Sequence, residues 1–493
     1  MLSATNNSVR LSASLCSGAS LALATPPWGF WPLAFVGIAL LDIAINQATT
    51  KQRFFNVGLG TAVWFFIANL WLWDFSPPGY TVAGLLIGFF FAIAGSLCPP
   101  DKYRYLIFPG LFVLAEIVRW NFPFGGLPLS NLSLSQAQSP IGQLAKFGGP
   151  TLVIVVVVVV GQAFGRFTRE RRIKPLALVL VLIVAGASVA QVYEPGRATS
   201  EIEVALVQGG GEQRTRAGSV PTTVVLQRHL DVTSQITGNP DLILWPENVV
   251  NPRSQEQFDE FAQAISDEVL AQYDSDLSAG WFLPISDTNT ANYQQISTPE
   301  SFEVDRYDKV IIVPFGEFVP FRSIVERFNS AIPSRDVQRG TEAPVLETSF
   351  GTIGSAISWE GFFDERARSA VRNGAELLTN PTNGSSFWLT QVQTQQIAAN
   401  QLHSISYGRW NLQVGPTGLS GVIDNEGNLI ERSDVSEARL IEQNVELREG
   451  NTVASTLGIW PALIYGLLCA QVAAMRLRQP SHDHVARGSE YSG

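Results

Sequence analysis

The segment Gly351-Thr-Ile-Gly-Ser-Ala-Ile-Ser-Trp-Glu360 joins an apolar, strand-like run to a polar turn. The run ends at Ile357, and a polar segment with helical character begins near Phe363. A serine in such a turn is usually a turn residue or a helix cap. The end of a buried strand is also where a layered α/β domain presents a nucleophile. Ser358 is therefore a candidate nucleophile if the rest of the chain supplies partners for it.

The surrounding residues 196–450 alternate between strand-like and helix-like patterns. Such alternation predicts a layered α/β domain. The predicted strands are 202–207, 242–245, 310–313, 352–357, 377–379, 411–414 and 421–424, and the predicted helices are 258–270, 366–373 and 392–404.

Residues 1–195 are a succession of apolar runs, and one more run follows the polar middle of the chain. Charged residues make up 15% of the chain and hydrophobic residues 46%, whereas about 25% charged residues is usual in soluble domains. A membrane-spanning helix needs roughly 20 apolar residues. The pattern predicts a multi-pass bundle of about eight membrane helices, at 11–24, 30–45, 54–73, 80–97, 106–118, 151–164, 175–192 and 452–475.

Lysine and arginine fall in alternate connections of this predicted bundle. They lie at 51–53, 102–104, 166–174 and 476–478, whereas the other connections contain almost none. The positive-inside rule places these four connections and both termini in the cytoplasm. The predicted organisation is a seven-helix bundle (1–195), an extracytoplasmic domain (196–450), a final membrane helix (451–476) and a cytoplasmic tail (477–493).

Composition also argues against several functions. The net charge of −10 disfavours nucleic-acid binding, which uses basic surfaces. The three Cys and four His lack metal-ligand or disulfide spacing, so we expect no metal and no cofactor. Asp42 and Glu116 are almost the only charges within the predicted helices, which argues against a transporter. Glu116 is either a functional carboxylate at membrane depth or the partner of Arg119.

Three reactive side chains adjoin strand-like runs. Glu247 ends the run 242–245 with the motif Trp-Pro-Glu, Lys309 precedes the run 310–313, and Ser358 follows the run 352–357. Acyl transfer needs this set of groups. A carboxylate accepts the proton of the nucleophile, an ammonium stabilises the oxyanion, and the nucleophile attacks the carbonyl carbon.

These motifs resemble the nitrilase (carbon–nitrogen hydrolase) superfamily, and the Pro-Phe-Gly-Glu-Phe-Val-Pro-Phe run at 314–321 is the most specific of them. The helical frame around the polar domain is similar to the apolipoprotein N-acyltransferase family. The resemblance implies an αββα sandwich in a bacterial plasma-membrane enzyme. It also implies a phospholipid acyl donor, an acyl-enzyme, and an apolipoprotein acceptor whose N-terminal diacylglyceryl-cysteine receives the acyl chain.

The resemblance further implies roles for individual residues. Glu247 would be the general base, Lys309 the oxyanion stabiliser and Ser358 the nucleophile. Other positions match residues that support the site or bind substrate, and these are Glu317, Trp359, Glu360, Asn383 and Arg409.

Ser358 departs from the family pattern, in which the nucleophile is a cysteine. A thiol ionises far more readily than a hydroxyl. Three interpretations stay open: acyl transfer through Ser358, a relative without catalysis that acts as a membrane scaffold, and a serine introduced to trap a substrate. The scaffold interpretation includes a separate partner, a polyprenol-phosphate mannose synthase. A soluble-type amidase is disfavoured because the predicted membrane frame implies a lipid-borne substrate.

Overall fold

The structure is a computed structural model that describes residues 6–213, 220–327, 333–387 and 390–478. Its N-terminal part is helical, with seven long helices and one short helix. Two 3₁₀ turns, Leu132–Gln136 and Gly142–Leu144, lie in the connection before the seventh helix. The helices are α1 (Asn7–Ala24), α2 (Pro32–Ile45), α3 (Thr50–Ala68), α4 (Trp71–Phe75), α5 (Pro77–Leu97), α6 (Arg104–Asn121), α7 (Ala145–Glu170) and α8 (Ile173–Val192).

Each predicted N-terminal run coincides with a helix, but one of them is divided. The predicted helix 54–73 crosses a break, because α3 ends at Ala68 and α4 begins at Trp71. Among the described residues, four helices are long and apolar enough to cross a membrane. They are Pro77–Leu97, Gly142–Glu170, Ile173–Val192 and Trp460–Leu477. The eight-helix count and the orientation stay predictions.

Two buried carboxylates in the helical part, Asp42 and Glu116, form ion pairs with arginines. On α2, Asp42 accepts from Arg104 at 3.0 Å and lies 2.7 Å from Arg169. On α6, the Glu116 carboxylate lies 2.7 Å from Arg119, and its second oxygen accepts from the Leu132 backbone N–H at 3.2 Å. Of the two interpretations of Glu116, the structure shows the ion pair, which also fastens the 3₁₀ turn to α6.

The polar domain contains two sheets. The first has the strand order β13-β1-β2-β3-β4-β5, with β6 paired to β4, and the second has the order β12-β11-β10-β9-β8-β7. The strands are β1 (Arg197–Gln208), β2 (Leu242–Leu244), β3 (Asp276–Pro284), β4 (Asn289–Ser297), β5 (Asp305–Asp308), β6 (Asp336–Val337), β7 (Val345–Thr348), β8 (Gly351–Ser355), β9 (Leu377–Pro381), β10 (Asn411–Val414), β11 (Gly421–Ile423), β12 (Leu429–Arg432) and β13 (Arg439–Glu449).

Helices cover the outer face of both sheets. On β1, Val204 and Leu206 are buried in the core between the two sheets, whereas Ala205 and Val207 belong to the outer core beneath α9 and α10. This alternation is the strand period of two with both faces buried. The remaining helices are α9 (Thr222–Thr233), α10 (Gln255–Ile265), which continues into a π-helical turn (Ser266–Leu270), α11 (Arg322–Val325), α12 (Asp364–Arg372), α13 (Gln391–Tyr407), α14 (Val453–Leu457) and α15 (Trp460–Arg478).

The predicted strand 310–313 is wrong, because the chain forms the strand β5 just before Lys309 and is irregular after it. The Val310 and Ile311 amides each donate to the Glu360 carboxylate at 2.9 Å instead of to a neighbouring strand. Ile311 and Val313 pack against the core that the helical part shares with the sheet domain. An apolar run here indicates burial against helices.

The helix α13 joins the helical part to the sheet domain. Gln391 accepts from the Trp71 backbone N–H at 3.1 Å, and Gln395 donates to the Ala68 carbonyl at 2.8 Å and accepts from the Ser130 N–H at 2.9 Å. These bonds end on main-chain atoms near the C-terminal end of α3. The nucleophile-bearing side of the sheet domain is therefore fixed against the helical part.

Candidate active site

A charged cluster lies where β2 and β5 end. The Lys309 ammonium donates to Glu247 Oε1 at 2.9 Å and to Glu317 Oε1 at 2.7 Å. Lys309 and Glu247 are almost fully buried, with side-chain exposures of 1% and 4%. An ammonium has three donors, so two are directed at carboxylates and one direction is left for a substrate oxygen. The structure brings together Glu247, Lys309 and Glu317, which the resemblance assigns to one site.

The protonation of the cluster follows from its burial and charge. Burial alone would lower the pKa of Lys309, but the carboxylates of Glu247 and Glu317 raise it above the ordinary value. Burial raises the pKa of Glu317, and the nearby Lys309 ammonium offsets part of that rise. Lys309 is therefore a lasting positive charge at neutral pH, as an oxyanion stabiliser must be.

Asn292 on β4 belongs to the same cluster, although no motif or spacing in the sequence indicated it. Its amide donates to Glu247 Oε1 at 2.9 Å and to Glu317 Oε1 at 3.0 Å. Glu317 also accepts from the Val313 backbone N–H at 2.7 Å, which closes the turn after the run 310–313. Each carboxylate thus has several donors, and such bonds orient a charged side chain as well as stabilise it.

Glu360 connects the charged cluster to the nucleophile turn. One carboxylate oxygen accepts from the Val310 and Ile311 amides, next to Lys309, and the other accepts from the Ile357 amide at 2.9 Å, next to Ser358. Tyr307 donates to the same carboxylate at 2.8 Å. The side chain is fully buried. Glu360 therefore links the backbone next to Lys309 to the backbone next to Ser358.

Ser358 begins a 3₁₀ turn (Ser358–Phe362) directly after β8 and has a left-handed backbone, φ +53°. Few residues other than glycine and asparagine adopt this conformation readily. The Ser358 carbonyl accepts from Gln396 at 2.7 Å and from Asn380 at 3.3 Å, and its Oγ lies 3.3 Å from the Thr382 hydroxyl. Side chains from β9 and α13 thus hold the nucleophile turn in place.

The other predicted supporting residues have different surroundings. Trp359 is buried and packs on Phe362 with 5.5 Å between ring centroids. Asn383 accepts from the Ser385 backbone N–H at 3.2 Å and shapes the loop after β9. Arg409 donates to the Ala375 carbonyl at 2.9 Å and to the Gly450 carbonyl at 2.9 Å. Arg409 therefore joins chain segments at the opposite strand ends, away from the charged cluster.

A cavity of about 190 Å³ opens beside the site. Its wall includes Asn248, which directly follows Glu247 and has φ +62°, and Asn383. Arg228 and Arg253 also line it. The cavity lies at the strand ends that carry the reactive residues, so it offers space for a polar group next to the site.

Comparisons with known proteins identify the family of both parts of the chain. Residues 17–163 match the family described as apolipoprotein N-acyltransferase N-terminal domain, and residues 203–452 match carbon-nitrogen hydrolase. An apolipoprotein N-acyltransferase of Mycolicibacterium smegmatis is 28% identical, over 94% of this chain and 84% of its own length. One from Photobacterium profundum is 25% identical, over 96% of each chain. A solved structure, Saccharomyces cerevisiae Nit3 of the nitrilase superfamily, is 18% identical over 54% of this chain and 96% of its own, with a TM-score of 0.37.

Proposed function

The chain belongs to the carbon-nitrogen hydrolase family and is an acyltransferase of the apolipoprotein N-acyltransferase type, and from this premise we propose the reaction that it performs. It moves a fatty acyl chain from a membrane phospholipid to Ser358, and then to the α-amino group of a diacylglyceryl-cysteine apolipoprotein. The observation that carries the proposal is the Glu247–Lys309–Glu317 cluster, which Glu360 joins to the turn of Ser358.

In the first step Glu247 accepts the Ser358 hydroxyl proton while Ser358 Oγ bonds to the carbonyl carbon of the phospholipid ester. The oxygen of that carbonyl becomes negative and accepts a hydrogen bond from the third N–H of the Lys309 ammonium. The bond from the carbonyl carbon to the glycerol oxygen then breaks. The proton held by Glu247 passes to that oxygen, which leaves a lysophospholipid and an acyl ester on Ser358.

In the second step the neutral amine of the acceptor attacks the ester. Glu247 accepts a proton from the amine nitrogen, the bond to Ser358 Oγ breaks, and the proton returns to that oxygen. An amide is formed and the enzyme is restored. Lys309 stabilises the oxyanion in both steps, and Glu317 keeps Lys309 in position.

The serine nucleophile makes both steps harder than a thiol would. A thiol has a reference pKa near 8.5, whereas a hydroxyl needs a well-placed base throughout the attack. An oxygen ester is also a less reactive acyl donor than a thioester. We therefore propose slower turnover than a cysteine nucleophile would give on this scaffold.

We also propose that the helical part and α15 lie in the bacterial plasma membrane, with the sheet domain on the extracytoplasmic side. Lysine and arginine at 51–53, 102–104, 166–174 and 476–478 support this orientation. The exposed apolar side chains of α8 also support it, since Leu178, Val181, Leu182 and Val184 are each more than 60% exposed.

Acyl-enzyme formation tests the proposal. Purified protein is incubated with a phospholipid that carries a labelled acyl chain, and mass spectrometry locates the label, beside Ser358→Cys and Ser358→Ala variants. We expect a labelled ester on Ser358, a faster-forming thioester in Ser358→Cys and no label at this position in Ser358→Ala. An adduct that forms only with Ser358→Cys would show that the parent protein is not an acyltransferase, and would favour the membrane scaffold.

A strain without the gene provides a second test in the cell. If the enzyme N-acylates lipoproteins, mass spectrometry of their N-terminal peptides shows free amines after deletion. Complementation with Ser358→Ala should leave the amines free, and complementation with the parent gene should restore the N-acyl group.

A further inference from the structure

Two side chains with no role in the scheme above contact the nucleophile. Thr382 follows β9, and its Oγ1 lies 3.3 Å from Ser358 Oγ and 3.2 Å from Gln396 Oε1. Gln396 lies on α13, and its amide donates to the Ser358 carbonyl at 2.7 Å. Both side chains are buried, at 4% and 5% exposure. The three residues therefore form a closed ring of hydrogen bonds around the nucleophile turn.

The ring contains a hydroxyl proton with two possible acceptors. A threonine hydroxyl has a single proton, and here both Gln396 Oε1 and Ser358 Oγ are within its reach. A hydrogen bond to an ionised acceptor is roughly twice as strong as one to a neutral acceptor. Negative charge that develops on Ser358 Oγ will therefore draw the Thr382 proton away from Gln396 and towards the serine.

We propose that Thr382 is a further catalytic residue, which donates a hydrogen bond to Ser358 Oγ while the serine proton leaves for Glu247, and that Gln396 is the positioning residue that holds both. The inference rests on the proposed acyl transfer. Thr382 keeps its own proton throughout, so the balance of the two steps is unchanged. The same bond forms again when Ser358 Oγ becomes the leaving group in the second step.

The chemistry of oxygen makes this contact more valuable here than it would be for a cysteine. Charge on an alkoxide is concentrated on a strong hydrogen-bond acceptor, whereas sulfur is a weak acceptor. A thiol also ionises close to neutral pH without such help. The Thr382 hydroxyl is therefore suited to a serine nucleophile, and its contribution should depend on the atom at position 358.

Gln396 has fixed surroundings, which a positioning role requires. It follows Gln395 on α13, and the Gln395 side chain is bonded to the Ala68 carbonyl and to the Ser130 amide. Four residues later on the same helix, Asn400 donates to Asn380 at 3.1 Å, and Asn380 in turn donates to the Ser358 carbonyl. The nucleophile turn is thus held by carboxamides from two successive turns of α13.

The test is a double-mutant cycle on the rate of acyl-enzyme formation. Thr382→Val removes the hydroxyl at nearly constant shape, Thr382→Ser keeps it, and each is made with Ser358 and with Ser358→Cys. With Ser358 we expect Thr382→Val to slow acylation by about 100-fold, as removal of one oxyanion donor does, and Thr382→Ser to retain most of the rate. With Ser358→Cys we expect Thr382→Val to slow acylation by less than about 5-fold.

The two nucleophile backgrounds separate catalysis from folding. In the scheme above Glu247 removes the serine proton, so the pH of half-maximal acylation reports on Glu247, and Thr382→Val should lower the plateau rate with Ser358 without moving that pH. A fault in folding would lower the rate alike with Ser358 and with Ser358→Cys. Gln396→Leu should lower kcat and leave KM for the phospholipid nearly unchanged, because Gln396 touches the turn and not the lipid.

Two outcomes overturn the assignment in different ways. Equal slowing by Thr382→Val in both backgrounds, or equal loss in Thr382→Ser and Thr382→Val, would show that Thr382 is structural while acyl transfer stands. A parent protein and a Thr382→Ser variant that both form no acyl-enzyme would overturn the proposed function, and the role of Thr382 with it.

Discussion

The two halves of the candidate site, one on each sheet, differ in charge. The half on the first sheet is charged, and Lys309 stands between Glu247 and Glu317 in a buried ion cluster. The half on the second sheet is neutral, and the Ser358 turn is held by hydroxyl, carboxamide and main-chain groups. Glu360 reaches from the second half to the first, and Arg366 beside it donates to Tyr307 on β5.

The difference shows which part of the chemistry depends on the nucleophile atom. Among the described residues, no side chain of the charged half forms a hydrogen bond with Ser358. The contacts within that half therefore do not depend on whether position 358 has an oxygen or a sulfur nucleophile. The neutral half contains the contacts that an oxygen nucleophile uses. Substitutions in the two halves should therefore respond differently to the exchange of serine for cysteine.

The largest effect is expected in the charged half. Glu247→Gln removes the proton acceptor while it keeps the shape, and general bases contribute roughly 100- to 10,000-fold to rate. We expect acyl-enzyme formation to fall by about 1,000-fold or more in both Ser358 and Ser358→Cys backgrounds, as measured with labelled phospholipid. Lys309→Met should match it, because a buried carboxylate pair without its cation is also destabilised.

The same experiment has a built-in control. Glu326, an exposed residue in the same domain, should tolerate a change to Gln with little loss of rate. A Glu247→Gln protein that keeps more than a tenth of the parent rate would contradict the assignment of Glu247 as the base.

An intermediate effect is expected from Glu360→Gln, which breaks the link between the halves. The carboxylate accepts from Val310, Ile311 and Ile357 amides and from Tyr307, and a carboxamide would direct its own donors at some of them. Disturbing a buried charged network costs about 3 kcal/mol. We expect a lower thermal midpoint in detergent and a loss of acylation of about 100-fold.

Glu342→Gln offers a matched comparison, since Glu342 is exposed on the same domain. A Glu360→Gln variant with a parent-like midpoint and rate would mean that the two halves are held together by other contacts.

The smallest effect concerns stability at low pH. One buried histidine lies on a helix beside each sheet, and burial lowers the pKa of both. Burial lowers the pKa of His229 on α9 and of His403 on α13 to about 4 from an ordinary 6.5. The unfolded chain binds these protons first, so stability falls as pH drops from about 6.5 towards 4. His229 Nε2 accepts from the Gly209 N–H. Protonation of Nε2 would place an N–H on the ring opposite the Gly209 N–H, so two donors would face each other.

Replacement of each histidine by glutamine should reduce the loss of folding stability between about pH 6.5 and pH 4. Hydrogen exchange should show the gain near α9 for His229→Gln and near α13 for His403→Gln. Parallel stability curves for the parent and both variants between pH 7 and about pH 4.5 would rule out buried neutral histidines as the cause.

The parts of the fold that have a strong local signature were predictable from the sequence. The helical runs, the strand–helix alternation and the strand-end positions of Glu247 and Ser358 follow from apolar periodicity. Lys309 follows β5 (Asp305–Asp308), a strand that the sequence analysis did not predict. The run 310–313 was misassigned because burial against helices and burial within a sheet give the same apolar pattern over four residues. The break between α3 and α4 was missed since both sides of it are apolar.

The neutral members of the site could not be predicted. Asn292, Thr382 and Gln396 are ordinary polar residues on a strand, a loop and a helix, and no spacing distinguishes them from surface positions. Their importance comes from contacts between segments far apart in the chain, such as that of Gln396 with Ser358. Arg409 matches the family motif but serves the opposite end of the domain, so a motif match alone did not reveal its task.

The carboxamides of α13 have a consequence for how a lipid reaches the nucleophile. Gln391 and Gln395 fasten the helix to main-chain atoms at the end of α3, and Gln396 fastens it to the Ser358 turn. These bonds hold Ser358 at a fixed distance from the C-terminal end of α3, and so at a fixed height above the proposed bilayer. In the proposed reaction, the ester bond of the phospholipid would have to reach that fixed level, because hydrogen bonds to main-chain atoms leave α13 little freedom to move towards the lipid.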